Sequence, residues 1–161
     1  MVNEWIGKTV RVLGKLDGSV NMTGICTFAT IAEETDEMWD LNMNVNAKGV
    51  FNCVRAQIRS MQDGGSIVST SSICGLQGFA TNGSYCASKH AVIGLTRAAA
   101  KENPRIRLNC VAPGVINTPM TQAEAYPDVN DEVKLQIIKR PGKPEEVAKV
   151  VNSFWAMIPA L

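Results

Sequence analysis

Trp5, Ile6, Thr9, Val10 and Leu13 recur at three- and four-residue intervals and are followed by Gly14. That spacing predicts a short amphipathic helix with a glycine stop. Residues 16–21 then read as a strand. Asp36 and Glu37 suit the positive end of a helix dipole, and apolar Trp39, Leu41, Val45, Val50, Phe51, Val54 and Ile58 carry a long helix to about Gln62, closed by Gly64-Gly65. Residues 66–71 are a β-branched run ahead of a glycine-containing loop, which predicts a second strand. A helix from Tyr85 to Glu102 follows, then a third strand over 107–112 and a turn at Pro113-Gly114. Pro144, Glu145 and Glu146 open a last helix with suitable N-terminal chemistry.

Strands that alternate with helices imply parallel pairing. The predicted fold class is therefore α/β, a partial doubly wound, Rossmann-like parallel sheet of about three strands with flanking helices. The 161 residues suffice for one core, so a single domain is expected. Sixteen basic against fifteen acidic side chains give no electrostatic reason to expect nucleic acid or an anionic membrane as partner. The apolar tail from Val150 is too short to span a bilayer, and no signal peptide is visible at the start, so a cytoplasmic location is expected. The five cysteines (Cys26, Cys53, Cys74, Cys86 and Cys110) contain no C-x-x-C pair and read as reduced thiols, with no metal site. Two glycosylation sequons, at Asn21 and Asn82, read as accidental.

The chemistry lies in Tyr85-Cys86-Ala87-Ser88-Lys89, with Ser72 upstream. On a helix, a spacing of four puts the phenol and the ammonium on one face, one turn apart. A free phenol has a pKa of about 10, and a nearby cation favours its ionised form. Lys89 is therefore expected to lower the pKa of Tyr85, which would give a proton to a carbonyl oxygen, or remove one in reverse, while Ser72 hydrogen-bonds that oxygen. Ser72 lies just past the carboxyl end of the second strand, where doubly wound sheets place ligands. A hydrolase built on Ser72 and the sole histidine, His90, is disfavoured: His90 sits about 100° around the helix from Lys89, and no G-x-S-x-G elbow is present.

Residues 20–148 resemble the short-chain dehydrogenase/reductase family. Ser72, Tyr85 and Lys89 fall on its catalytic serine, tyrosine and lysine, and Asn46, within Asn44-Val45-Asn46-Ala47-Lys48-Gly49, falls on its asparagine that orders a proton-relay water. Pro113-Gly114-Val115 with Thr118 resembles the segment that grips the nicotinamide, and residues 140–148 resemble the family's late loop and helix. The resemblance implies an oxidoreductase that uses NAD or NADP to interconvert a small-molecule alcohol and a ketone. It implies cofactor contacts from Asn21, Gly24, Tyr85, Lys89, Pro113, Gly114, Val115 and Thr118, with Lys89 on the nicotinamide ribose. It also implies a homo-oligomer through the two long helices, consistent with the small residues Ala87, Ala91, Gly94, Ala98 and Ala99.

The chain departs from the family in three places. No Thr-Gly-x-x-x-Gly-x-Gly phosphate loop precedes Leu16, the family's Asn-Asn-Ala-Gly appears as Asn21-Met22-Thr23-Gly24, and residues 154–159 resemble no part of the family's final strand. The expectation is an incomplete dinucleotide-binding domain, lacking the N-terminal glycine-rich half and the last strand, with weak cofactor affinity and two bare sheet edges. A second reading is a catalytically inactive relative that acts as a dimerisation partner.

Overall fold

In the computed structural model, which describes residues 1–123 and 129–156, helix α1 spans Val2–Leu13 and ends at Gly14 with φ 83°. A positive φ of that size has no steric cost in glycine. Strand β1 is Gly18–Asn21. The long helix expected next is three segments: α2 (Asp36–Asn42), a π-helical turn (Met43–Lys48) and α3 (Gly49–Ser60). Thr35 caps α2 by accepting from the Met38 amide. Then come β2 (Ser66–Thr70), a 3-10 turn (Ile73–Gly75), α4 (Gly83–Glu102), β3 (Arg107–Val111), α5 (Pro119–Gln122), α6 (Val129–Leu135) and α7 (Pro144–Ala156). Residues 124–128 and the tail after 156 lie outside the described residues.

The sheet has strand order β1-β2-β3, all parallel, with Val20 opposite Val68 and Val68 opposite Asn109. Alternation along β2 divides the core. Ile67 points to a cluster with Val50, Val54, Val92 and Leu108, beneath α1, α3 and α4, whereas Val68 points to the opposite face and meets Val111 and Val151 of α7. With both faces of the sheet covered by helices, β2 carries apolar residues on each side, as parallel strands do. Among the described residues β1 and β3 pair on one side only.

The three strands end together at Asn21, Thr70 and Val111, so the segments after them, 22–28, 71–82 and 112–118, gather at one end of the sheet. Ile73 donates its amide to the Pro113 carbonyl (2.9 Å), tying two of these segments together. The late loop is closed by Arg140, whose guanidinium makes two hydrogen bonds to the Glu146 carboxylate (2.8 and 2.7 Å), while the Lys143 amide donates to the same group. Those contacts hold the Glu146 carboxyl down at about 2. Asn21 and Asn82 are both buried, which makes neither sequon accessible in the folded chain. No helix among the described residues is long and apolar enough to cross a membrane.

Ile67 is 1% exposed and Val12 is 72% exposed. Ile67→Ala is expected to lower unfolding free energy by about 2–5 kcal/mol in urea titrations, against a change within about 0.5 kcal/mol for Val12→Ala.

Candidate active site

Helix α4 carries the two central groups, and its seating is built from buried side chains. Asn42 and Asn46 stand four residues apart at the junction of α2 with the π turn; Ser84 and Ser88 stand four apart on α4. The Asn42 amide donates to Ser84 Oγ (2.9 Å) and the Asn46 amide donates to Ser88 Oγ (3.0 Å). All four residues are fully buried, each 0% exposed. Each hydroxyl passes its own proton onward, Ser88 to the Tyr85 carbonyl (2.7 Å) and Ser84 to the Glu34 carboxylate. Below the helix, Ser71 Oγ donates to the Lys89 carbonyl (2.8 Å), and Gly75 lies so close that a Cβ there would sit 2.7 Å from that carbonyl oxygen.

Tyr85 and Lys89 follow Ser84 and Ser88 by one residue, so these bonds set the rotation of the face they occupy. Both line a cleft of about 240 Å³ with Ser72, Cys26, Cys74, Asn82, Thr70 and the 113–116 segment. The Lys89 ammonium lies 5.6 Å from the centre of the Tyr85 ring and donates to the Thr70 carbonyl (3.1 Å). Ser72 Oγ accepts from the Cys74 amide (3.2 Å), which leaves its proton free to point elsewhere.

The electrostatics differ from the expectation in one respect. Burial pushes the Tyr85 phenol above its ordinary value, helped by the nearby Cys26, Cys74 and Cys86 thiols, while Ser72 pulls it down. Lys89 does not offset the burial: its ammonium is held against the ring face and the Thr70 carbonyl, and its own pKa is lowered, chiefly by burial. Burial likewise pushes Cys26 and Cys74 up to about 12, which keeps these thiols protonated and weakly reactive. All five cysteines are free.

The remaining sequence-predicted residues divide. Gly24, Pro113, Gly114, Val115 and Thr118 line the cleft. Asn46 lies behind it, its side chain accepting from the Ile25 amide (2.9 Å) and donating to the Ile25 carbonyl (2.9 Å). A Cβ on Gly24 would meet Lys89 Nζ at 3.2 Å and Asn46 Oδ1 at 3.3 Å, so a side chain at 24 would have to push one of these groups aside by a few tenths of an ångström. Asn21 does not reach the cleft. Its side chain is buried against Gln57 (3.1 and 2.8 Å) and Ser69 (3.3 Å), where it locks β1 to α3 and β2. His90 is exposed. Sequence reasoning missed Glu34, Asn42 and Ser84; the paired four-residue spacings of Asn42/Asn46 and Ser84/Ser88 were the available signal. No cluster of metal-ligating residues occurs among the described residues.

The lining of the cleft suits the nicotinamide end of a dinucleotide. Thr70 Oγ1 is buried on its wall without a hydrogen-bond partner, Lys89 presents an ammonium beside it, and Gly24 and Gly114 keep the backbone low on two sides. A nicotinamide carboxamide and the hydroxyls of its ribose fit those polar groups. Among the described residues no glycine-rich loop stands ready for a pyrophosphate.

The parallel sheet, with its cleft at the carboxyl ends of the strands, defines a doubly wound α/β protein of the dinucleotide-binding kind. A family model described as enoyl-(acyl carrier protein) reductase matches residues 1–155. Among curated relatives, the short-chain dehydrogenase/reductase ABA4 of Pyricularia oryzae is 47% identical over 127 residues, covering 75% of this chain and 47% of its own. The 3-oxoacyl-(acyl-carrier-protein) reductase FabG of Thermotoga maritima is 44% identical over 156 residues, covering 93% of this chain and 63% of its own. A solved structure described as ElxO with NADP bound superimposes with a TM-score of 0.86 at 34% identity, over 95% of this chain and 65% of that one. The chain belongs to the short-chain dehydrogenase/reductase family. It spans about half the length of the first curated relatives it matches.

The folded chain holds the Tyr85 phenol above its ordinary 10.0. Below about pH 10 the phenol is neutral folded or unfolded; above it the unfolded chain ionises first and folding loses up to about 1.4 kcal/mol per pH unit. Wild type is therefore expected to lose stability faster than Tyr85→Phe between about pH 9 and pH 11 in thermal melts. Parallel curves would show the phenol to be unperturbed.

Proposed function

We propose that this chain carries the proton-transfer half of an NAD(P)-dependent oxidoreductase that interconverts a small-molecule alcohol and a ketone. The observation that carries this reading is the joint placement of Ser72, Tyr85 and Lys89 around one cleft at the carboxyl ends of the strands. Family membership supports it, and so does the NADP named for a solved relative.

Lys89, Gly24, Pro113, Gly114, Val115 and Thr118 are the residues proposed to hold the nicotinamide end. When bound, that group supplies or accepts the hydride. Burial keeps Tyr85 protonated, so in the reduction direction it is a proton donor in its resting state. Ser72, whose oxygen is already engaged by the Cys74 amide, directs its proton at the substrate oxygen and stabilises the charge that gathers there. Once Tyr85 has given its proton, the Lys89 ammonium, 5.6 Å from the ring centre, stands one helical turn from the resulting phenolate. Asn46 contributes by holding Ile25 and, through it, the close approach of Gly24 to Lys89. The apolar wall of Cys26, Ile73, Cys74, Ile116 and Met120 suits the hydrocarbon part of a carbonyl compound. Assembly of two copies through α3 and α4 is part of the same proposal, supported by Phe51, 42% exposed on α3.

Titration with NADPH and NADH followed by fluorescence, with turnover measured on a panel of ketones, tests the reading. Saturable binding is expected, and Tyr85→Phe is expected to reduce turnover by about 100-fold or more without loss of nucleotide binding. Turnover unchanged in Tyr85→Phe would overturn it.

A further inference from the structure

Helix α4 begins without a cap of its own. The side chain of Asn82, at the N-cap position, makes no hydrogen bond to the first turn; its oxygen instead accepts from the Cys26 thiol at 3.3 Å. The first amides of a helix have no intrahelical partner, and a side-chain acceptor there is worth about as much as an ordinary hydrogen bond. Tyr85 lies in this first turn, where fraying would move the phenol. The acceptor is supplied from elsewhere in the chain. Glu34, on the loop before α2, accepts from the Ser84 amide through Oε2 (3.3 Å) and from the Ser84 hydroxyl through Oε1.

Ser84 and Ser88 differ in a way that makes an outside acceptor necessary at this position. Ser88 gives its proton back to the Tyr85 carbonyl three residues earlier, within the helix. Ser84 has no such choice, because the residues before Gly83 are not helical. It already accepts from Asn42, so its proton needs an outside acceptor, and burial at 0% exposure removes water as one. The loop is seated tightly enough to provide it: a Cβ on Gly83 would come within 2.2 Å of Ile31 Cδ1 and 3.2 Å of Glu34 Oε2. A negative group is also favoured at the positive end of a twenty-residue helix.

The geometry points to Glu34 as a positioning residue that caps the α4 helix from a distant loop and thereby fixes Tyr85 against Ser72. This rests on the catalytic reading of Tyr85, but its structural half can be measured without any turnover. Amide hydrogen exchange of Ser84, followed by NMR on the full chain, is expected to be protected in wild type and to accelerate by about tenfold in Glu34→Ala, with most of the protection retained in Glu34→Gln, which still presents an acceptor oxygen. In turnover with NADPH and diacetyl as the carbonyl probe, Glu34→Ala is expected to lower kcat by about tenfold with KM changed less than about twofold, and Glu34→Gln to restore most of it. A Ser84 amide that exchanges at the free-peptide rate in wild type would overturn the cap. A Glu34→Ala protein with wild-type kcat, alongside an inactive Tyr85→Phe control, would overturn the positioning role. If Tyr85→Phe is as active as wild type, the catalytic reading fails instead, and the exchange measurement alone decides the cap.

Discussion

Two hydrogen bonds between buried asparagine amides and serine hydroxyls, Asn42 to Ser84 and Asn46 to Ser88, hold the candidate site together. Both pairs are removed from water, so each group would cost about 1–3 kcal/mol if left unpaired, and neither helix can rotate without exposing one. Rotation of α4 is what sets the direction of Tyr85 and Lys89, the residues that follow each serine. Apolar packing alone would tolerate small sliding of one helix on another. The amide-hydroxyl pairs do not, since they require one register between the π turn and α4.

The π turn belongs to the same device. Met43–Lys48 widens the helix where Asn46 must face both Ser88 on α4 and Ile25 on the loop after β1. Local widening of this kind is frequent at functional sites, where an ordinary α-helical turn would aim the side chain elsewhere. Through Asn46 the loop with Gly24 is brought against Lys89, and through Ser71 the strand β2 end is brought against the Lys89 carbonyl. Two separate segments of chain, the loop after β1 and the end of β2, thus meet at one residue of α4.

Much of this architecture was legible in the sequence because it is periodic. The apolar spacing before Gly14, the β-branched run at 66–71 and the pair Pro144 with Glu145 each match an element of the structure within a few residues, and the parallel three-stranded sheet followed from their alternation. The placement of Ser72 beyond β2 was readable for the same reason. What was not legible depends on partners far apart in the chain. The break of the long helix at Asn42 has no glycine or proline to mark it, and the bonds of Glu34 to Ser84 join residues separated by 50 positions. Asn21 was expected at the cofactor, yet folding turns its amide toward Gln57 on α3, a contact that no local pattern announces. The phenol of Tyr85 differs from expectation because sequence shows the spacing to Lys89 but not the burial that outweighs it.

A double-mutant cycle on Asn46→Ala and Ser88→Ala, read by urea unfolding, addresses the register directly. If the buried pair sets the position of α4, the two substitutions are coupled by about 1 kcal/mol or more, because the second removes a group that the first has already left unpaired. Losses that add to within about 0.3 kcal/mol would show the two side chains to be energetically independent, and the helix carrying Tyr85 and Lys89 would then be held by its apolar contacts alone.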